Sequence, residues 1–213
     1  MAKLQKAAIG FRAHSGWSAA VVVFLEKGKP VVAARKRVQL VETFTYDFRQ
    51  PYHTAKKMGV EDGRKFILRM RAEARRLTYR AFQQVQRELK EQGLHLRRVG
   101  LCLASGRELP ELEKILASHA LIHTADGELF RGALAEASER CGLSVMKIRE
   151  KELLERAGEV LRLEPEKVLR IATEAGRGMG APWTQDEKFA MVAAWVASKV
   201  FARKMSKDKE KLR

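Results

Sequence analysis

Cysteine is nearly missing from this chain: Cys102 and Cys141 are the only two in 213 residues, and both sit in apolar surroundings. That excludes a disulfide framework, and with no CxxC or Cys/His spacing it excludes a cysteine-based zinc module. Both read as small buried hydrophobes in a reducing compartment. Long hydrophobic runs are missing too, and no segment reaches the ~20 apolar residues of a membrane-spanning helix. The basic start, MAKLQKAAIGF, loses its apolar run at residues 10–12. That is too soon for a secretory core, so a cytoplasmic protein with no membrane contact is expected. No internal repeat is present. Residues 176–182 are glycine-rich, yet they lack the GxxxxGK[ST] spacing and follow no strand, which rules out a phosphate loop.

What the chain has in excess is positive charge. Lysine and arginine number 42 against 26 acidic residues, a net charge of +16 with a pI near 10.1. A surplus of this size points to nucleic acid, a ribonucleoprotein or an acidic surface as partner. The plainer alternative is a soluble surface that is basic without a partner. With 46% hydrophobic and 32% charged residues, the chain is globular rather than disordered.

Short apolar runs at residues 7–11 and 18–25 flank RAHSGW, and Val21, Val22, Val23 and Phe24 are strand formers. A turn at residues 26–29 and a second β-run at 30–42 complete an antiparallel hairpin. Residues 43–63 read as irregular, with Pro51 holding Gln50 extended; RQPYH (49–53) is a candidate lid, nucleic-acid clamp or structured turn. Residues 64–92 carry the longest helix signal, with Ile67, Met70, Ala74, Leu77, Ala81, Val85 and Leu89 at three- and four-residue steps and Gly93 as its stop. Its other face holds Arg64, Arg71, Arg75, Arg76, Arg80 and Arg87, interspersed with Glu73, Glu88 and Glu91. RVGLCLA (98–104) reads as a buried central strand. Helices are expected at 110–118, 128–141, 150–161 and 165–175, and a strand at 143–148. A final amphipathic helix at 183–201 opens with a Thr184/Glu187 capping box. The whole of 1–201 reads as one α/β domain, with 176–182 as a connection before the docking helix and 202–213 as a basic flexible tail.

The order β, β, long helix, β, helix, β, helix resembles the ribonuclease H-like fold, and in outline its Holliday-junction-resolvase branch. AIGFRAHSGWSAAVVV occupies the first-strand position, and PWTQDEKFAMVAAW resembles the late acidic helix. The resemblance implies a mixed central sheet with an N-terminal antiparallel hairpin and helices on both faces. It further implies a bacterial nuclease using Mg or Mn as cofactor. The sequence departs from the pattern where the family has a first-strand aspartate, for it has Arg12, Ala13 and His14. Two-metal phosphodiester cleavage needs clustered carboxylates, because magnesium prefers oxygen ligands. Asp186 and Glu187, with Glu108 or Glu111, are the acids left, and an arginine at the first position repels a metal.

On this topology RAHSG, Ser105-Gly106-Arg107 and Asp186 meet at neighbouring strand ends, the edge where α/β sheets bind ligands. The stretch SHALIHTADGELF (118–130) adds His119 and His123, four residues apart on one helix face. Candidate catalytic residues are thus His14, His119, His123 and Asp186, with histidine as general acid or base. Candidate phosphate or nucleic-acid contacts are Arg12, Arg49, His53, Ser105, Arg107, Lys188, Arg71 and Arg75. A metal, if any, falls to Asp186 or Glu128, the latter with His119 and His123. The competing reading of the histidine stretch is a helix junction in which Thr124 or Asp126 is an N-cap. Trp183 is either a base-stacking platform or a core residue at a helix entry.

The expected function is a nucleic-acid- or ribonucleoprotein-binding protein with a ribonuclease H-like core, a divergent or inactive nuclease. The alternatives are a hydrolase or transferase of small phosphorylated molecules and a non-catalytic interaction module. The oligomeric state is left open.

Overall fold

Along β1 (Gln5–His14), Ala7, Ile9, Phe11 and Ala13 alternate with Ala8, Gly10 and Arg12, so a strand's period of two sends the sets to opposite faces. The computed structural model describes residues 4–104 and 108–210, with side chains to residue 200. Ser15 and Gly16, the latter at φ +81°, turn the chain into β2 (Trp17–Glu26), which pairs antiparallel with β1. β3 (Lys29–Gln39) pairs antiparallel with β2, as the hairpin reading expects. β4 (Leu94–Leu103) and β5 (Ser144–Arg149) then join in parallel, giving the order β3-β2-β1-β4-β5. The mixed sheet with an N-terminal hairpin is the expected fold class.

Helices cover both faces. On one side lie α3 (Val60–Glu91) and α5 (His119–Arg140), whose buried Phe66, Met70, Phe82, Leu129 and Phe130 meet Ile9 and Phe11 of β1. On the other lie α6 (Leu153–Leu161), α7 (Pro165–Ala175) and α8 (Gln185–Glu210), packed on Ala8, Val21 and Val23. Helix α8 sits on the bare backbone of the sheet. A Cβ at Gly10 would fall 1.8 Å from the Ala190 carbonyl oxygen, and one at Gly100 2.2 Å from that of Ala193. Glycines in β1 and β4 and alanines in α8 thus bring the helix start, with Asp186, over the end of β1.

Three sequence expectations need correction. Residues 43–63 are not irregular: they hold α1 (Tyr46–Arg49) and α2 (Pro51–Lys56), and α3 begins at Val60. Pro51 opens α2 at a position where its missing N–H costs nothing. The histidine stretch does hold a helix junction, but at Ser118 rather than at Thr124 or Asp126. Helix α4 (Leu112–Ala117) ends at Ser118, whose hydroxyl accepts from the Leu121 N–H, and α5 runs unbroken from His119 to Arg140. Thr124 and Asp126 are interior residues of α5, so neither is a cap. Helix α8 continues to Glu210, past the bound at residue 201. Among the described residues no helix is long and apolar enough to cross a membrane.

Candidate functional site

Because β1, β4 and β5 run parallel, their carboxyl ends share one edge of the sheet. Arg12 faces α8 there. Its guanidinium grips Glu150 in two places, Nε to Oε2 at 2.9 Å and Nη2 to Oε1 at 2.5 Å, and its Nη1 donates to Asp186 Oδ1. The hydrogen bond to Glu150 raises the Arg12 pKa against an opposing desolvation, so Arg12 is a cation at every working pH. The Arg12 guanidinium lies over the Phe189 ring, 5.4 Å from its centroid. Asp186 is held by the capping box read from the sequence: Glu187 accepts from the Thr184 N–H at 2.8 Å, and the Thr184 hydroxyl accepts from the Asp186 N–H at 3.2 Å. A carboxylate in the first turn of α8 is also favoured by the helix dipole.

His14 joins this cluster. Its Nε2 lies 2.9 Å from Asp186 Oδ1, but the ring is misaligned and the atom makes no hydrogen bond. The imidazole instead stacks on Trp17 at 4.6 Å, and the Arg37 guanidinium also lies over that indole at 3.7 Å. Glu150 went unread as a site residue. The signal was an acid directly after a strand, in IRE, which the helix-start reading absorbed.

These residues do not fit the metal pair that the family resemblance implies. Glu150 and Asp186 are committed to a guanidinium, and the position expected to bring a third carboxylate brings that cation instead. Glu108 and Glu111 are exposed, and among the described residues neither joins Asp186 and Glu150 in a group close enough to share a metal ion.

A second cluster lies on the other side of the same edge. His53 of α2 meets His119 and His123 of α5, with ring centroids 5.5, 4.5 and 4.5 Å apart for the three pairs. His119 Nε2 and His123 Nε2 approach to 3.1 Å. Asp126, one turn further along α5, is buried. Its Oδ2 sits 2.6 Å from His53 Nδ1, and its Oδ1 accepts the Tyr52 N–H at 2.7 Å. Burial pushes the Asp126 pKa up, and the Tyr52 N–H and His53 pull it back. Glu128, the expected partner of this pair, turns away to Arg131 at 3.3 Å.

His14 and His123 line one open cavity of about 400 Å³, with Ser15, Ala104, Thr124 and Arg131. Of the four residues that the sequence reading brought together, His14 and His123 line this cavity and His14 meets Asp186, while His119 and Asp186 are not among the lining residues. The other expected contacts scatter. Arg49 donates to the Ser15 carbonyl at 3.3 Å and covers Phe44. Arg71 bonds the Tyr52 hydroxyl, whose pKa burial raises. Arg75 pairs with Glu136 at 2.6 Å, Arg64 with Glu113 at 2.8 Å, and Arg76 with Glu42, so much of the arginine face of α3 is already neutralised. Lys188 is half-buried in the first turns of α8. Ser105 and Arg107 lie outside the described residues. Trp183 is a core residue: its Nε1 donates to the Ala172 carbonyl at 2.9 Å and its ring lies against Gly176.

No known protein family and no curated protein matches the sequence. Solved structures do match. Thermus thermophilus RuvC superposes with a TM-score of 0.51 at 11% identity, over 94% of this chain and 96% of that one. T. thermophilus RuvC in complex with a Holliday junction substrate gives 0.53 at 12% identity over the same shares. The yeast mitochondrial Holliday junction resolvase gives 0.47 at 14% identity, over 94% of this chain and 83% of that one. Sheet topology and the two RuvC superpositions agree that the chain has a ribonuclease H-like fold of the Holliday-junction-resolvase type.

Proposed function

We propose that this chain is a cytoplasmic nucleic-acid-binding protein of resolvase-type fold in which a fixed ion-pair cluster has replaced two-metal cleavage. The observation that carries this reading is the Arg12 guanidinium locked between Glu150 and Asp186 at the carboxyl edge of the sheet. Bare carboxylates at that edge would repel a phosphate backbone. Arg12 offsets one of the two charges while pairing with both acids, and the net charge of +16 on the chain around them favours a phosphate backbone there. A solved structure of the same fold is that of a resolvase holding a Holliday junction. Contact is directed to phosphates, with Arg37, Arg49 and Arg71 around the edge as candidate donors.

The test is binding to branched and linear DNA by fluorescence anisotropy over a salt series. With about four phosphate contacts, affinity should fall about 100-fold from roughly 50 to roughly 200 mM salt. A flat salt response, or no binding at low salt, overturns the reading. No cleavage is expected with Mg or Mn. Metal-dependent cleavage abolished by Asp186→Asn would show that the site is a nuclease after all.

The cavity shared by His14, His123 and Arg131 favours a second reading, a hydrolase or transferase of a small phosphorylated molecule. On that reading phosphate or a nucleotide, added with a chelator, raises the melting temperature by mass action, and His123→Ala removes the gain.

A further inference from the structure

We propose that His53, His119 and His123 form a binding site for a single transition-metal ion of the zinc class, with an open coordination position toward the cavity that His123 shares with His14. The inference is independent of nucleic-acid binding and uses none of the carboxylates around Arg12.

One ring nitrogen from each of the three histidines lies within 4.8 Å of the other two. A tetrahedral ion with Zn–N bonds of about 2.0–2.1 Å holds its ligands roughly 3.3 Å apart, and the His119–His123 pair is already at 3.1 Å. Rotation of one side chain closes the remaining gap. Spacing along the chain supports the pair: His119 and His123 are one turn apart on α5, so both rings rise from the same helix face.

The third histidine is oriented by a buried acid. Asp126 Oδ2 stands 2.6 Å from His53 Nδ1, and the Tyr52 N–H fixes the other oxygen at 2.7 Å. A carboxylate there selects the tautomer with the proton on Nδ1 and leaves the Nε2 lone pair free. This is the arrangement by which an outer carboxylate orients a metal-binding imidazole and makes it more basic. The hydrogen bonds already in the trio leave ring nitrogens available as acceptors. Once His53 Nδ1–H is committed to Asp126, its Nε2 is an acceptor, and the His119 and His123 nitrogens facing one another need one proton between them. A metal ion takes all three lone pairs together.

The ligand set also names the metal class. Three imidazoles with no carboxylate suit zinc, and cobalt, nickel or copper by the same donors, rather than magnesium or calcium. Exposure of His119 and His123 gives the ion an entry path and leaves room for water or a phosphate oxygen as a further ligand.

The test uses the full chain without a histidine tag, stripped with chelator and titrated with zinc chloride in phosphate-free buffer by calorimetry. Saturable binding of a single ion per chain is expected, with cobalt giving the intense visible absorption of a tetrahedral site. His53→Ala, His119→Ala and His123→Ala should each weaken binding at least about 10-fold, and Asp126→Asn about 10- to 100-fold. Binding unchanged by His53→Ala overturns the three-ligand site, since an exposed i,i+4 pair then accounts for it. Lack of saturable binding overturns it outright. If His53→Ala unfolds, as read by circular dichroism, the two exposed variants on α5 decide: retention of full affinity in either refutes the proposal.

Discussion

Replacing Arg12 by methionine, which keeps the stem and removes the charge, tests whether the cation holds the sheet edge together. The side chain is 16% exposed and meets carboxylates that are 33% (Glu150) and 20% (Asp186) exposed. Removing one partner of a fully buried pair costs about 3–5 kcal/mol, because the other is left desolvated and unpaired. Glu150 and Asp186 keep some water, so that figure is discounted to about 2 kcal/mol. For a chain of this size the melting temperature should fall by about 4–8 °C. Much of that cost is the orphaned carboxylate rather than the lost bond. Arg12→Met with Glu150→Gln should therefore recover about half of it, although the double variant makes still fewer ion pairs. Differential scanning calorimetry in Mg-free buffer reads both. A loss under about 0.5 kcal/mol for the single variant, or a double variant less stable than the single, refutes the reasoning. Millimolar magnesium should raise the melting temperature of Arg12→Met and leave that of the parent unchanged, since only in the variant are the acids free to ligate.

Gly10→Ala would set a Cβ 1.8 Å from the Ala190 carbonyl oxygen and force α8 off the sheet; a loss of about 3 kcal/mol is expected in urea melts. Gly93→Ala meets nothing within 4 Å, so its cost is the strain of φ +73° alone, about 1 kcal/mol. Burial pushes the Cys102 thiol up to about 12, so Cys102 should resist a thiol reagent at neutral pH in the folded protein. It gains thiolate only as pH nears that value, and mass mapping should find label on half-buried Cys141 first. Trp183→Phe removes the hydrogen bond to the Ala172 carbonyl and should cost about 1 kcal/mol in thermal melts, without altering DNA affinity.

The elements legible in the sequence were those whose pattern is local. The valine run with its turn gave β2 and β3, steps of three and four gave α3, Gly93 gave its stop at φ +73°, and Thr184 with Glu187 gave the start of α8. Helices α1 and α2, of four and six residues, are too short to show a period. Helix α5 hid its continuity because it is buried on several sides, so Ile122, Ala125, Leu129, Phe130 and Ala135 trace no single stripe, and buried Asp126 breaks the pattern further. The sites depend on contacts across the fold. Arg12 and Glu150 are 138 residues apart, and His53 and Asp126 are 73 apart. Convergence of strand ends and helix starts placed His14 beside Asp186, and the one-turn spacing of His119 and His123 placed those two rings together. Glu150 and the joining of His53 to the trio required the strand order and the seating of α2 on α5.

Arg12 and Glu150 also explain one another. Asp186 needs one countercharge, and Arg12 supplies it, yet a guanidinium has a second edge that would face the half-buried sheet end unpaired. Glu150, just past the end of β5 and across β4 from β1, takes that edge with two hydrogen bonds. The converse change, Arg12→Asp, would place a third carboxylate between Glu150 and Asp186. With no cation among them the three oxygen donors would repel one another, and divalent ions would be the ligands that relieve the repulsion. A single position on β1 thus decides whether these two acids are free to ligate a cation or are held by one. In this chain it is occupied by arginine.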